Sequence, residues 1–280
     1  MSSESASPRG GPGIRIRAMT TPAEFEAGDQ LQRRVWRIEE GSTPVPAEVL
    51  NAISHAGGYV AGAFRADALV GLSTAWLGRD EGTGRIFLWE HVLAAQSRDA
   101  GVGHALKLEQ AAWCAARGID EVRWTFDPLV SRNAYFALGK LGATVLSYTP
   151  DFYGPLDDGI NLADESDRLV ASWAVDRALG SRSDGLSASD LRGGHPLLSI
   201  DEHGGPRLHA VVGDGTASSL GGLRTCAVPP DIEALRLRDP KLAAGWRKAL
   251  RECLLDELAA EGAIVGFARS GHYLLSGKQV

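Results

Sequence analysis

The segment that most narrows the fold of this chain is 86–126, IFLWEHVLAAQSRDAGVGHALKLEQAAWCAARGIDEVRWTF. An apolar run leads into a turn with an arginine and two glycines, then into a stretch of helical periodicity, then into a second apolar run. Leu106, Leu108, Ala112, Trp113 and Ala116 give the middle stretch a broad apolar face, and Gly118 stands where a helix would stop. Strand, helix and strand in this order predict a parallel, right-handed βαβ unit.

The turn lies where that helix begins. The first four N–H groups of a helix have no partner inside it, and the helix dipole adds partial positive charge there, so the turn is a natural anion site. Gly101 and Gly103 let backbone approach a phosphate, and Arg98 adds charge from the side. The nucleoside triphosphate pattern GxxxxGK followed by Ser or Thr is absent from the chain. The dinucleotide pattern GxGxxG fails, because Leu106 stands where its third glycine belongs, and GDGTASSLGG (213–222) fails as well. What remains is RxxGxG, Arg98-Asp99-Ala100-Gly101-Val102-Gly103, against the alternative of a tight turn whose glycines serve packing alone.

Upstream, GIRIRAM (13–19) reads as a strand, and Thr20 or Thr21 can cap the helix PAEFEAGDQLQRRVWRI with Pro22 in its first turn. GSTPVP breaks that helix, AEVLNAISHAG is a second, and GYVAGAFR with ALVGLSTAWLG predicts a hairpin. Downstream, SRNAYFALGKLGA reads as a short helix with Ser131 as cap, and TVLSYTPDFYG as one more strand. Past residue 155 the composition changes. DRLVASWAV reads as a strand, 176–194 as a linker or long loop, and HPLLSI with RLHAVVG as a hairpin. GGLRTCAV is a strand, PPDIEALRLRDP an irregular or short helical connection, KLAAGWRKALRECLLDELAAEG the longest helix, and AIVGFA and HYLLS two closing strands. This organisation predicts a tail over 1–13, an α/β domain over 14–155 and a smaller α/β extension over 156–280.

A chain of 280 residues can bury the core of one large or two small domains. Its net charge of −6 argues against a general nucleic-acid binder. No apolar run approaches the ~20 residues that span a bilayer. MSSESASPRGGPG lacks the apolar core of a signal peptide and reads as a disordered tail. Three distant cysteines form neither a disulfide framework nor a CxxC pattern, which points to a reducing, cytoplasmic compartment. The seven histidines show no HxH or HExxH spacing, so no metal is expected.

RxxGxG at a strand-to-helix turn is similar to the pyrophosphate loop that binds coenzyme A in the GNAT acyltransferase superfamily. Residues 1–155 resemble that superfamily in element order. VRWTFDPLVSRNAYFALGKLGA, DFYG, GINLADESDRLVASW and VPPDIEALRLRDP resemble a bacterial branch with its own C-terminal extension, some members of which are N-succinyl or other N-acyl transferases for amino acids. The resemblance implies an α/β fold (an α+β mixed sheet) with splayed central strands, the strand before the loop bulging and splaying from the strand after the helix, plus a smaller α/β extension that packs on it or is a degenerate second half. It implies acetyl-CoA or another acyl-CoA as co-substrate. Leu93 and Ala95 would offer backbone groups to the pantetheine arm; Ala95 departs from the family's usual proline. Arg98 and Asp99 belong to the loop, and the N–H groups of Ala100, Gly101, Val102, Gly103 and His104 would face the pyrophosphate.

The implied chemistry is attack of a neutral amine on the acyl thioester, with a base taking the amine proton and an acid serving the thiolate. Glu90 and His91 are the candidate bases; they alternate in direction along the strand, and His91 has the better unperturbed pKa, ~6.5. Glu90 could instead be a solvated strand residue and His91 a hydrogen-bonded core histidine. For the acid, the family's usual tyrosine position holds Leu138, which leaves Tyr135, Tyr153 or solvent. Asp127, Arg132 and Asn133 follow the second parallel strand, where ligands collect in open α/β sheets. Asp127 could hold an ammonium group, Arg132 a carboxylate or the coenzyme's 3′-phosphate, and Asn133 is carried with the coenzyme contacts; Asp127-Pro128 also reads as a plain turn. The leading function is therefore an acyl-CoA-dependent N-acyltransferase acting on a small-molecule amine. The alternatives are a GNAT-like transferase using aminoacyl-tRNA or a carrier-protein thioester, or a non-catalytic coenzyme A-binding protein. No membrane partner is expected, and a homodimer stays open.

Overall fold

The computed structural model describes residues 13–41, 43–96, 101–156, 158–162, 164–180, 194–209 and 223–277. The chain forms two compact units, one of residues 1–124 with 174–181 and the other of 125–173 with 182–280. Each is a mixed α/β assembly.

The first unit opens with β1 (Ile14–Ala18) and α1 (Pro22–Trp36). Thr21 rather than Thr20 is the cap of α1. Its side chain accepts from the Glu24 N–H, and the Glu24 carboxylate accepts from the Thr21 N–H in return, a capping box with Pro22 just inside it. Then come α2 (Ala47–His55), β2 (Tyr59–Arg65), β3 (Ala68–Arg79), β4 (Ile86–Ala95), α3 (Val102–Ala115) and β5 (Glu121–Phe126), of which the first four residues belong to this unit. The strand order is β1-β2-β3-β4-β5, antiparallel except for the parallel β4–β5 pair. The predicted hairpin and strand–helix–strand unit are both present. Met19, Phe25, Leu31, Leu50, Leu72 and Val92 form the core beneath α1 and α2. Gly71 of β3 lets α3 come close: a Cβ there would lie 2.5 Å from Val102 Cγ1.

The second unit takes up the end of β5 and continues with α4 (Ser131–Ala134). The cap of α4 is Val130, with no side-chain hydrogen bond, so Ser131 is the first helical residue and not the expected cap. The segment, which the sequence predicts as one short helix, then changes to a π-helical stretch, Tyr135–Lys140. Gly139 in that stretch carries no side chain because the Phe267 carbonyl would stand 2.7 Å from its Cβ. β6 (Thr144–Thr149) and β7 (Arg168–Ala174) pair antiparallel, and α5 (Val175–Gly180) returns to the first unit, where the Val175 N–H donates to the Asp120 carbonyl. The expected linker at 176–194 thus begins as a helix; 181–193 lies outside the described residues.

β8 (His195–Ile200) and β9 (Pro206–Leu208) pair as a hairpin, while 210–213 of the predicted second strand lie outside the described residues; β10 (Arg224–Ala227), α6 (Ile232–Arg238), α7 (Pro240–Ala259), β11 (Ala263–Ala268) and β12 (His272–Ser276) follow. These five strands make a sheet of order β11-β12-β10-β8-β9, mixed because β8 and β10 run parallel. The segment PPDIEALRLRDP is helical, and its two aspartates explain the boundaries: Asp231 caps α6 and Asp239 caps α7. Trp246, Leu250, Leu254, Phe267 and Tyr273 fill the core of this unit.

Candidate functional site

In the first unit the expected anion turn ends on a helix start of the right form. Gly101 caps α3 in the left-handed region, φ 69°, and a Cβ there would meet nothing within 4 Å. Glycine is therefore favoured for conformation, not for space. The Ala105 N–H donates to the Gly101 carbonyl at 3.0 Å, and helix geometry directs the N–H groups of Val102, Gly103 and His104 out of the N-terminus. Val102 is buried against the sheet, while Gly101 is exposed. Arg98, Asp99 and Ala100 lie outside the described residues.

β4 changes character at His91. Thr74 of β3 pairs with Val92 and Ala75 pairs with Glu90, so His91 is the extra residue of a β-bulge. The parallel pairing to β5 covers Leu88, Trp89 and Glu90, and among the described residues β4 has no pairing to β5 beyond that point. Leu93 and Ala95 therefore lie in the part of β4 that pairs with β3 alone, opposite Ser73 and Gly71. The bulge also resets the strand's phase. Glu90 reaches Lys107 on α3, whereas Val92 packs with Phe25 and Leu31. Residues two apart would share one face of a regular strand.

Glu90 is held on every side. Its Oε1 accepts from Ser73 Oγ and Gln110 Nε2, both at 2.9 Å, and its Oε2 lies 2.5 Å from Lys107 Nζ. Lys107 Nζ also donates to Gln110 Oε1 at 3.2 Å and sits 3.6 Å from the Trp124 ring centroid. Glu90 is 4% exposed and Lys107 0%. Burial pulls the Lys107 pKa below the usual lysine range, with Glu90 acting in the opposite direction. Burial likewise pushes the neighbouring Cys114 thiol up to about 12, and the Tyr59 phenol far above its usual value. Lys107, Gln110 and Cys114 fall at i, i+3 and i+7, one stripe of α3 that the apolar reading of this helix passed over. That spacing is the signal that could have found Lys107.

His91 is half-buried, with its ring 5.2 Å from that of Trp76. Burial lowers its pKa below 6.5, so the imidazole is neutral at pH 7 and able to accept a proton.

The remaining expected site residues belong to the second unit, and the structure pairs them with residues outside that set. Asp127 accepts from Arg247 through Nη1 at 2.7 Å and Nη2 at 3.0 Å, from Arg236 Nη2 at 2.6 Å, and from the Leu129 N–H at 2.9 Å. Burial alone would raise its pKa; Arg247 and Arg236 outweigh that and hold the carboxyl far below the usual range. Both oxygens are thus taken by guanidinium groups, which leaves no place for the expected substrate ammonium. Arg132 pairs with Glu233. Asn133 is exposed in α4, with its N–H on the Val130 carbonyl. Tyr135 accepts from Arg269 Nε at 2.7 Å, and the Tyr153 hydroxyl shares a 2.9 Å hydrogen bond with Thr125. Among the described residues no group of three His, Cys, Asp or Glu side chains could hold a metal ion. No helix among them is long and apolar enough to cross a membrane.

No family model matches the chain, and no curated protein matches it. Among the solved structures that are similar to part of it are acetyltransferases. An aminoglycoside acetyltransferase from an uncultured soil metagenomic sample, in complex with sisomicin, is 19% identical, covering 45% of this chain and 85% of that one at a TM-score of 0.41. An Arabidopsis thaliana protein in complex with the bisubstrate analogue CoA-Ac-MVNAL is 16% identical over 57% of this chain and 97% of that one, TM-score 0.43. A GNAT-family acetyltransferase from Streptococcus pneumoniae is 14% identical over 57% and 98%, TM-score 0.43.

Proposed function

We propose that this chain is a GNAT acyltransferase that moves an acyl group from acyl-CoA to the amine of a small molecule, with His91 as general base. The observation that carries the reading is the bulge at His91, where the pairing of β4 to β5 ends. It is followed within the same strand–helix unit by a helix start capped by a left-handed glycine. The open stretch of β4 at Leu93 and Ala95 suits an extended amide-bearing chain that adds to a strand edge. The N–H groups of Val102, Gly103 and His104 suit a pyrophosphate. Gly101 supplies the left-handed conformation of the cap, and Gly103, without a side chain, suits the close approach of a phosphate.

Acyl-CoA, when bound, supplies an activated acyl carbon. The amine nitrogen forms its bond to that carbon as the carbon–sulfur bond breaks. His91, neutral at pH 7, takes up the proton that the amine loses. Solvent returns a proton to the sulfur. Because the pKa of His91 is lowered, activity rises with pH through a midpoint below 6.5 and is flat above it until other groups titrate.

The test is thiol release from acetyl-CoA and longer acyl-CoAs across a panel of amines, for the wild type and His91→Ala. The reading expects turnover by the wild type, a fall of about 10²–10⁴-fold in kcat in the variant, and loss of the low-pH limb. An active His91→Ala enzyme with an unchanged pH profile would remove His91 from this role.

A further inference from the structure

The buried pair beside the bulge has a use that the proton transfer does not require. Glu90 cannot easily serve as a base: both oxygens are occupied, and the side chain is sealed between β3, β4 and α3. Replacing a buried ion pair with apolar groups is often neutral or stabilising, so stability alone gives little reason for this one. Its position is more informative. Glu90 is the last residue of β4 paired to β5 and the residue immediately before the bulge. Lys107 stands in the second turn of α3, the helix whose N-terminus is read as the pyrophosphate site. Ser73 Oγ, opposite Leu93, completes the set from β3 through its bond to Glu90, and Gln110 bridges the carboxylate and the ammonium.

We propose that Glu90 and Lys107 are positioning residues, a buried clamp that locks α3 to β4 and so fixes the bulge that orients His91. This rests on the reading of His91 as the base. The clamp sets two distances at once: that of the helix start from the open strand edge, and that of the imidazole from both. A displacement of about 1 Å at such a site can cost about 100-fold in rate.

The experiment compares Glu90→Gln, Lys107→Met and the double variant with the wild type in two measurements. The first is hydrogen–deuterium exchange of the amides of 91–95. The second is kcat/KM for an acyl-CoA and an accepted amine across pH. Each single variant leaves one buried charge unpaired. It should exchange faster over 91–95 and lose about 10- to 100-fold in kcat/KM. The double variant has no unpaired charge but also no clamp; it should keep part of the faster exchange and part of the loss in kcat/KM, with the low-pH midpoint unmoved throughout, and full recovery of both would leave the pair no positioning role. A double variant as inactive as Glu90→Gln, yet with wild-type exchange, would make Glu90 the base and overturn the proposal. Unchanged exchange in both single variants would overturn it too. If a single variant fails to fold, the double variant against the wild type still separates base from clamp. If the wild type uses no acyl-CoA, the proposed function falls, and the exchange measurement alone decides the clamp.

Discussion

The two units bury charge in contrasting ways. In the first, one carboxylate meets one lysine, and neutral groups from Ser73 and Gln110 complete its shell. In the second, two carboxylates meet two arginines: Arg247 bridges Asp127 and Asp164, and Arg236 bridges the same two. A lysine is a point charge on a flexible stem, whereas a guanidinium is a rigid fork that can grip both oxygens of one carboxylate, as Arg247 does at Asp127. The partners also differ in origin. Lys107 is 17 residues from Glu90, within one strand–helix unit, while Arg236 and Arg247 lie 109 and 120 residues from Asp127. The second cluster ties distant parts of its unit together. The first adjusts two neighbouring elements.

If that contrast is right, the largest effect comes from the second cluster. Asp127→Ala leaves two buried guanidinium groups short of a partner and should cost about 3–5 kcal/mol in chemical denaturation. A loss below about 1 kcal/mol would reduce the cluster to a surface-like pair. Acid should act through the same residue. The Asp127 pKa is lowered in the folded state, so its contribution is complete above the unfolded value of about 3.9 and is lost as the pH falls below it. Asp127→Asn should therefore flatten the acid limb of a stability-versus-pH curve; an unchanged limb would assign acid unfolding to other carboxylates.

The next effect concerns how closely α3 lies on the sheet. Gly71→Ala puts a Cβ 2.5 Å from Val102 Cγ1 and should cost about 1–3 kcal/mol, with faster exchange at the start of α3. Full stability would mean that the helix can shift without disturbing the Glu90–Lys107 pair. The smallest effect is a control away from both clusters. Thr21→Ala removes one half of the capping box and should cost about 1 kcal/mol in thermal unfolding, with no change in catalytic pH dependence.

Much of this fold can be read along the chain. The strand–helix–strand segment, the β2–β3 hairpin and the 20-residue helix α7 follow from apolar periodicity and turn residues, and these are local signals. The RxxGxG pattern leads directly to the glycine-capped start of α3. A bulge in this strand is implied by the family resemblance, but its position at His91 is not legible, because one inserted residue is defined only by the register of a partner strand. Nor are the fates of Glu90 and Asp127. A carboxylate next to a strand end looks the same in sequence whether it meets substrate or two arginines a hundred residues away. The stripe Lys107, Gln110, Cys114 is the exception: polar residues at helical spacing on the face turned to the sheet mark a buried polar cluster before any partner is known.

If the start of α3 holds the pyrophosphate of an acyl-CoA, as proposed, binding should depend on Gly103. Isothermal titration of acetyl-CoA into the wild type and into Gly103→Trp measures that dependence, since an indole at that position would block the helix start. The account predicts saturable one-to-one binding by the wild type and its loss in the variant, with the thermal midpoint of the variant little changed. Equal binding by both proteins, or none by a folded wild type, would contradict it.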